Sequence, residues 1–376
     1  MKQARTLPGP ALHADADAVA AGPSLALPAL RPLRGRLLIA LAVVVGTVLV
    51  GVSQGSADIP FTTVVRILAS KTLGLGHATW PETWEEIVWQ IRLPRVLLAG
   101  LVGATLAFSG AGYQGVLRNP LADPYLIGVA AGAGLGATII MVSPLPYAFG
   151  TVGLLPPAAF AGAVLAVAIS YGLARSGGVA PAVTLILAGV AVSAAASAAM
   201  SFLIMANHER AVTVVSWLLG GFNTATWQRV GIVLPYSLVG GAGVLASTRL
   251  LNVLQLDEEE AQQLGVPVER VKLLVIIAAS LATAAAVSVS GLIGFVGLIV
   301  PHTVRLLWGF DYRRLVPMSM AAGAVFLILA DVAARTVLSP SEVPVGVVTA
   351  LCGAPFFLWL LRRNRPGGSP GGRALF

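Results

Sequence analysis

Few residues of this chain could do acid–base, nucleophilic or metal chemistry, and their spacing gives them no catalytic arrangement. Three lysines occur, Lys2, Lys71 and Lys272. A phosphate-holding P-loop needs GxxxxGK[ST], because backbone N–H groups and the lysine together cradle the phosphates. Only Lys71 is followed by a hydroxyl residue, Thr72, and the glycines that should precede it are missing. The histidines His13, His77, His208 and His302 lack metal-ligand spacing. None is placed with a Ser, Thr or Asp as in a hydrolase. The sequence therefore predicts no catalytic residue, no metal site and no nucleotide site. Cys352 is the single cysteine. It cannot form an intrachain disulfide, and it reads as a small buried hydrophobe.

Three other patterns carry more. Asp331 is the one acid deep inside an apolar run, with Arg335 four residues on, on the same helical face. Ionisable groups in a membrane are expensive and are usually paired. Two readings follow: a structural Asp331–Arg335 pair, or a pair that presents Arg335 at the outer mouth. Gly128, Gly132 and Gly136 recur every fourth residue, which on one helix would give a small-residue packing face. Asn252–Arg270 is the most polar stretch between apolar runs. It contains Glu258, Glu259, Glu260, Ala261, Leu264 and Gly265.

The elements that must position these residues follow from composition. Hydrophobic residues make up 57% of the 376, and charged residues 11%. Soluble domains carry about 25% charged residues. A chain this apolar needs lipid around it, and only helices or closed barrels satisfy the backbone there. The apolar runs are long and unbroken, so the fold class is all-α and polytopic. Ten spans are predicted: 36–53, 93–116, 125–142, 151–174, 181–206, 229–249, 271–291, 293–308, 314–337 and 345–362. The boundary between spans seven and eight falls at Gly291 and Gly294. Residues 1–35 read as a disordered cytoplasmic tail and 363–376 as a second cytoplasmic tail. Together they flank a transmembrane domain over 36–362, with a working segment near 250–270.

Ten spans put both termini on one side. With that side cytoplasmic, 17 of the 24 Lys and Arg residues lie inside, as the positive-inside rule asks. Arg92, Arg95 and Arg335 are then external exceptions. The net charge of +8 is explained by topology rather than by nucleic acid. Trp80, Trp84 and Trp89 lie in a long external segment and suit the membrane interface.

Five ordered blocks resemble one family: RLPR at 92–95, SGAGYQGVLRNPLADPYLIGVAAGAGLGA at 109–137, GFVGLIVPHTVRLL at 294–307, LADVAART at 329–336 and EVPVGVVTALCGAPFFLWLL at 342–361. The chain resembles the type II ABC importer permeases, the FecCD type, which take up iron-siderophores, haem and cobalamin across the inner membrane. The resemblance implies a non-catalytic subunit that works as a homodimer or beside a similar permease. It also implies two cytoplasmic ATPase subunits that use ATP and Mg, an external substrate-binding protein, and no cofactor on this chain. Arg92, Arg95 and Arg335 match positions that face the binding protein, and Arg suits bidentate carboxylate pairing. Glu259-Glu260-Ala261 followed by Gly265 resembles the E-A-A-x-x-x-G coupling signature. Asn119 and Leu121, in the loop Arg118–Pro124, are candidates for an inner gate. Ferric siderophores are the first expected substrate, with haem or cobalamin next. The competing reading is a secondary transporter driven by an ion gradient. It would need more intramembrane acids than Asp331.

Overall fold

The structure is a computed structural model that describes residues 33–55, 57–74, 79–145, 153–176, 179–256 and 258–363. The two expected tails lie outside the described residues, apart from Leu33–Gly35 and Arg363, which are helical. The order is α1 (Leu33–Ser53), α2 (Phe61–Leu73) and α3 (Glu82–Glu86), then a π-helical stretch (Ile87–Arg92) that runs directly into α4 (Leu93–Val116). A 3-10 turn (Pro124–Ile127) precedes α5 (Val129–Val142), α6 (Leu155–Ala174), α7 (Ala182–Ala206) and α8 (Ala211–Leu218). The chain continues through α9 (Trp227–Val253), α10 (Glu258–Gln263), α11 (Val268–Ser290), α12 (Val296–Trp308), α13 (Tyr312–Thr336) and α14 (Val345–Arg363). Among the described residues no β-strand occurs, only an isolated bridge between Ser176 and Val179.

Each of the ten expected spans is a helix. Seven helices are long and apolar enough to cross a membrane, and α5, α12 and α14 are shorter apolar helices. The short ones are short for a reason. The segments before α5 and α12 are irregular, and they meet: the Tyr125 hydroxyl donates to the Ile293 carbonyl at 3.1 Å. Non-helical backbone at membrane depth is tolerated only where protein surrounds it, and Ile127 and Ile293 are both buried. The break between spans seven and eight falls where the glycines placed it, from Gly291 to Phe295, and Phe295 takes φ 71° just before α12.

Helix α4 is the centre, with 20 of its 24 residues buried. Lipid is as apolar as leucine, so helices associate through close packing and interhelical hydrogen bonds. The α4 sequence supplies both. A methyl group on Gly103 would overlap the Gly323 carbonyl in α13, and one on Gly110 would overlap the Gly297 carbonyl in α12. The Thr105 hydroxyl meets Ser237 of α9 at 2.7 Å, and Tyr113 meets Ser280 of α11 at 2.5 Å.

The glycine face of the third span is partly corrected. Gly132 and Gly136 do form a packing seam, because a methyl on either would strike the backbone of α6 at Gly162 or Ala158. Gly128 is not on that helix. It precedes α5 in the left-handed region with φ 95°, closing the 3-10 turn. The prolines of Asp-Pro-Tyr and its neighbours start a turn there, so the fourfold spacing continues past the point where the helix stops. Cys352 is also corrected: it lies on an exposed face of α14, beside Leu351 and away from the helix bundle.

The α5–α6 seam gives a paired test on one helix. Gly162→Leu forces the two helices apart and should cost about 1–3 kcal/mol, read as a lower midpoint of thermal unfolding in detergent. Gly172→Leu, where a side chain meets open space, should leave the midpoint unchanged.

Candidate functional site

The functional candidates collect at the two membrane faces, one where α4 begins and one where it ends. At the first face the three arginines form one cluster with two acids. Arg92 closes the π-helical stretch and is only 4% exposed. Its guanidinium donates to the carbonyls of Val52 at 3.2 Å and Ser53 at 3.0 Å, and to Ala57. Arg335 donates to Gln54 at 3.0 Å and Gly51 at 3.1 Å. The last carbonyls of a helix have no partner within it and favour cations. Arg92 and Arg335 together therefore cap the end of α1.

Asp331 holds the cluster together. It is fully buried. It lies 3.1 Å from Arg335 Nε, which forms the i,i+4 pair expected from the spacing. It also accepts from Arg95 Nε at 3.0 Å and Nη2 at 2.9 Å. Arg95 turns its outer edge to Glu342, with Nη1–Oε1 at 2.9 Å and Nη2–Oε2 at 3.0 Å. That fork is bidentate, the stronger and more directional form of the pair. Sequence reasoning missed Glu342, which lies 247 residues from Arg95. The only local signal was an acid opening the EVPVG block. All three guanidinia bond to their own chain, and the Glu342 side chain, 35% exposed, is the part of the cluster most open to the surroundings. Glu342 also borders a cavity of about 350 Å³ lined by Trp217, Gly220, Thr224, Ser290 and Pro344.

The tryptophans of the segment before α4 are built in rather than free. Trp89 packs tilted against Trp227, ring centroids 5.5 Å apart, and accepts its indole N–H through a backbone carbonyl at 3.0 Å. Trp80 donates to Glu85 at 3.1 Å, and Trp84 packs partly buried against the core.

At the opposite face α10 stands between α9 and α11. Glu258 opens it, and Glu259 and Glu260 are exposed. Ala261 is buried. Val266 N–H reaches back to Ala261 at 3.1 Å and Gly265 N–H to Gln262 at 2.9 Å. That pair of bonds is a Schellman cap, and Gly265 supplies the left-handed residue it requires, with φ 79°. Leu264, just before it, is 67% exposed. The result is a short, firmly ended helix with one buried alanine beneath and two acids and a leucine outward.

The Arg118–Pro124 loop lies beside it, since Arg118 donates to the Leu256 carbonyl at 3.2 Å. The Asn119 side chain accepts from Leu121 N–H at 2.9 Å, fixing a tight turn. Leu121 is left exposed. Nearby, Asn252 donates to Asp311 at 2.7 Å and accepts from Tyr312 N–H at 2.8 Å, tying the end of α9 to the start of α13. Arg305 donates to Gln114 at 2.9 Å. Sequence reasoning missed this polar knot as well, because its members sit in separate blocks. Among the described residues no group of three or more His, Cys, Asp or Glu is arranged to hold a metal.

The cluster at the first face makes a stability prediction. Three guanidinia face two carboxylates, so Asp331→Asn leaves two positive charges in excess. Breaking a buried pair this way should cost about 3–5 kcal/mol. Adding Arg335→Met removes one of those charges and should restore part of the loss, measured by chemical unfolding in detergent.

Comparison with known proteins agrees with this architecture. The profile of the FecCD transport family matches residues 41–363. The cobalamin import system permease protein BtuC of Halobacterium salinarum is 48% identical over 282 residues, covering 75% of this chain and 75% of that protein. The hemin transport system permease protein HmuU of Yersinia pestis is 39% identical, covering 80% of this chain and 93% of that one. A solved metal-chelate type ABC transporter in an inward-facing conformation superposes with TM-score 0.75 at 32% identity, covering 88% of this chain and 99% of that one. The chain belongs to the FecCD transport family.

Proposed function

We propose that this chain, a multi-pass permease subunit of an inner-membrane ABC importer, pairs with a second permease copy or a similar permease around a pathway for a metal chelate. The cargo is a ferric siderophore, haem or cobalamin, with the siderophore first. Relatives named for cobalamin at 48% identity and for hemin at 39% identity support the chelate class rather than one member of it. In this reading the chain binds no cofactor of its own. Two partner ATPases use ATP and Mg at the α10 face, and that face is cytoplasmic together with both termini.

The observation that carries the reading is α10. A capped, six-residue helix with Glu259, Glu260 and Leu264 outward is a rigid projection suited to a cleft on another protein. Movement of the ATPases would pass through it to α9 and α11, the helices on either side. An external binding protein would dock at the opposite face. There the excess positive charge of the arginine cluster attracts carboxylates. Glu342 forms its accessible rim with Arg95 behind it, and Arg92 and Arg335 hold that rim to α1. The exposed Leu121 and the fixed Asn119 turn lie on the α10 face, where an inner gate would have to open.

The test is reconstitution with the ATPase and the loaded binding protein in liposomes. Glu259→Arg with Glu260→Arg changes only exposed side chains. It should reduce ATPase copurification about tenfold or more, consistent with the loss of a few favourable charge contacts, and leave the thermal midpoint unchanged. An ATPase that still binds and hydrolyses normally would remove the coupling role from α10. Arg95→Ala should leave the ATPase bound and abolish stimulation by the loaded binding protein. Stimulation that persists in a folded Arg95→Ala variant would move docking off this cluster. A panel of ferric siderophore, haem and cyanocobalamin, each with its cognate binding protein, then identifies the cargo by which one stimulates hydrolysis.

A further inference from the structure

A groove of about 500 Å³ runs along the outside of the bundle between α1 and α13. Its walls are Ile39 and Val43 of α1 and Met318, Ala322, Val325 and Leu329 of α13. Those four α13 residues recur every three or four positions, so they form one continuous stripe. From Met318 to Leu329 the stripe spans eleven residues, about 16 Å at the α-helical rise. One leaflet of a bilayer core is about 15 Å deep. The groove therefore has the length of a single acyl chain lying along the membrane normal.

Only one end of the groove is charged. Arg36 lines it there together with Trp308, whose indole is partly exposed. Among the described residues Arg36 has no hydrogen-bond or ion-pair partner. Arg314 lies one turn before Met318 on the same helical face, and its contact with Asp311 is 4.0 Å, the outer edge of an ion pair. Tryptophan settles at the headgroup level, and arginines at that depth attract anionic lipid headgroups. An apolar slot one leaflet deep, with cations and an indole at its headgroup end, matches a phospholipid in both shape and charge.

We propose that this groove is a site for an anionic phospholipid, with one acyl chain along α13 and the phosphate held by Arg36 and Arg314. The proposal rests on the membrane embedding of the chain and is independent of the docking and coupling readings. A bound lipid there would fill the gap between α1 and α13 at the face where α10 projects. It would also complement the contact that Arg335 makes with α1 at the other end of the same two helices.

The test is native mass spectrometry of the full-length protein after detergent washing, loaded with either phosphatidylglycerol or phosphatidylcholine of the same acyl composition. One phosphatidylglycerol per chain should be retained, and phosphatidylcholine lost. Arg36→Ala should lower retention about fivefold, the effect of one surface cation on an anionic lipid, and Arg36→Lys should keep most of it. Val325→Trp should exclude the lipid by filling the slot, with Ala322→Leu as a milder filler if the tryptophan variant misfolds. Inorganic phosphate should not compete, which separates a lipid site from a free-phosphate site. Equal retention of the two lipids, or retention untouched by Arg36→Ala and by a folded groove-filling variant, would overturn the proposal. So would a groove-filling variant that changes the oligomeric state while lipid retention stays constant, since that assigns the slot to protein packing.

Discussion

Lipid offers no hydrogen bonds and no hydrophobic reward for bringing two helices together. Everything in this fold answers to that constraint. Helices can gain from contact only if their backbones come close, and the chain achieves this by removing side chains where they would meet. Gly103 against Gly323, Gly110 against Gly297 and Gly132 against Gly162 are backbone-to-backbone contacts. Some of the polar side chains inside join neighbours, as in Thr105–Ser237 and Tyr113–Ser280. Around this interior the charged clusters described above collect toward the two faces.

The two faces use charge differently. At the arginine face, cations are consumed internally: Arg92 and Arg335 satisfy the carbonyls that end α1, and Asp331 holds two guanidinia from a buried position. A helix terminus, an intramembrane acid and a distant loop acid are thereby fused into one unit. At the α10 face, Glu259 and Glu260 of the short helix stay exposed. One face is organised for rigidity with a small positive excess, and the other carries a projecting handle. That asymmetry fits a subunit that receives a partner on one side and a mechanical input on the other.

The helical content was legible in the sequence because length and hydropathy alone decide it in a membrane. The ten apolar runs became ten helices, and Gly291 marked a real break. The Asp331–Arg335 pair was legible because helical spacing is local. The misreadings have physical causes. Gly128 continued a regular spacing across a point where Pro124 and a 3-10 turn had already ended the helical register. Cys352 lies on a helix that packs along one side only, which hydropathy cannot distinguish from a helix packed all round. Glu342 and the Asn252–Asp311 knot depend on contacts across many tens of residues, and no single-sequence pattern encodes those. The sequence singled out Arg92, Arg95 and Arg335, but that Arg92 and Arg335 cap α1 could be seen only from the geometry.

The glycine seams carry a consequence for how such a chain can diversify. A contact made by two backbones has no side chain to vary, so selection cannot adjust it in small steps. Almost any substitution there is an obstruction rather than a refinement. Adaptation to a cargo of different size or shape must therefore be written on surfaces whose side chains already face away from the seams, such as the outward side of α14. The scaffold stays constant while its exterior is rewritten.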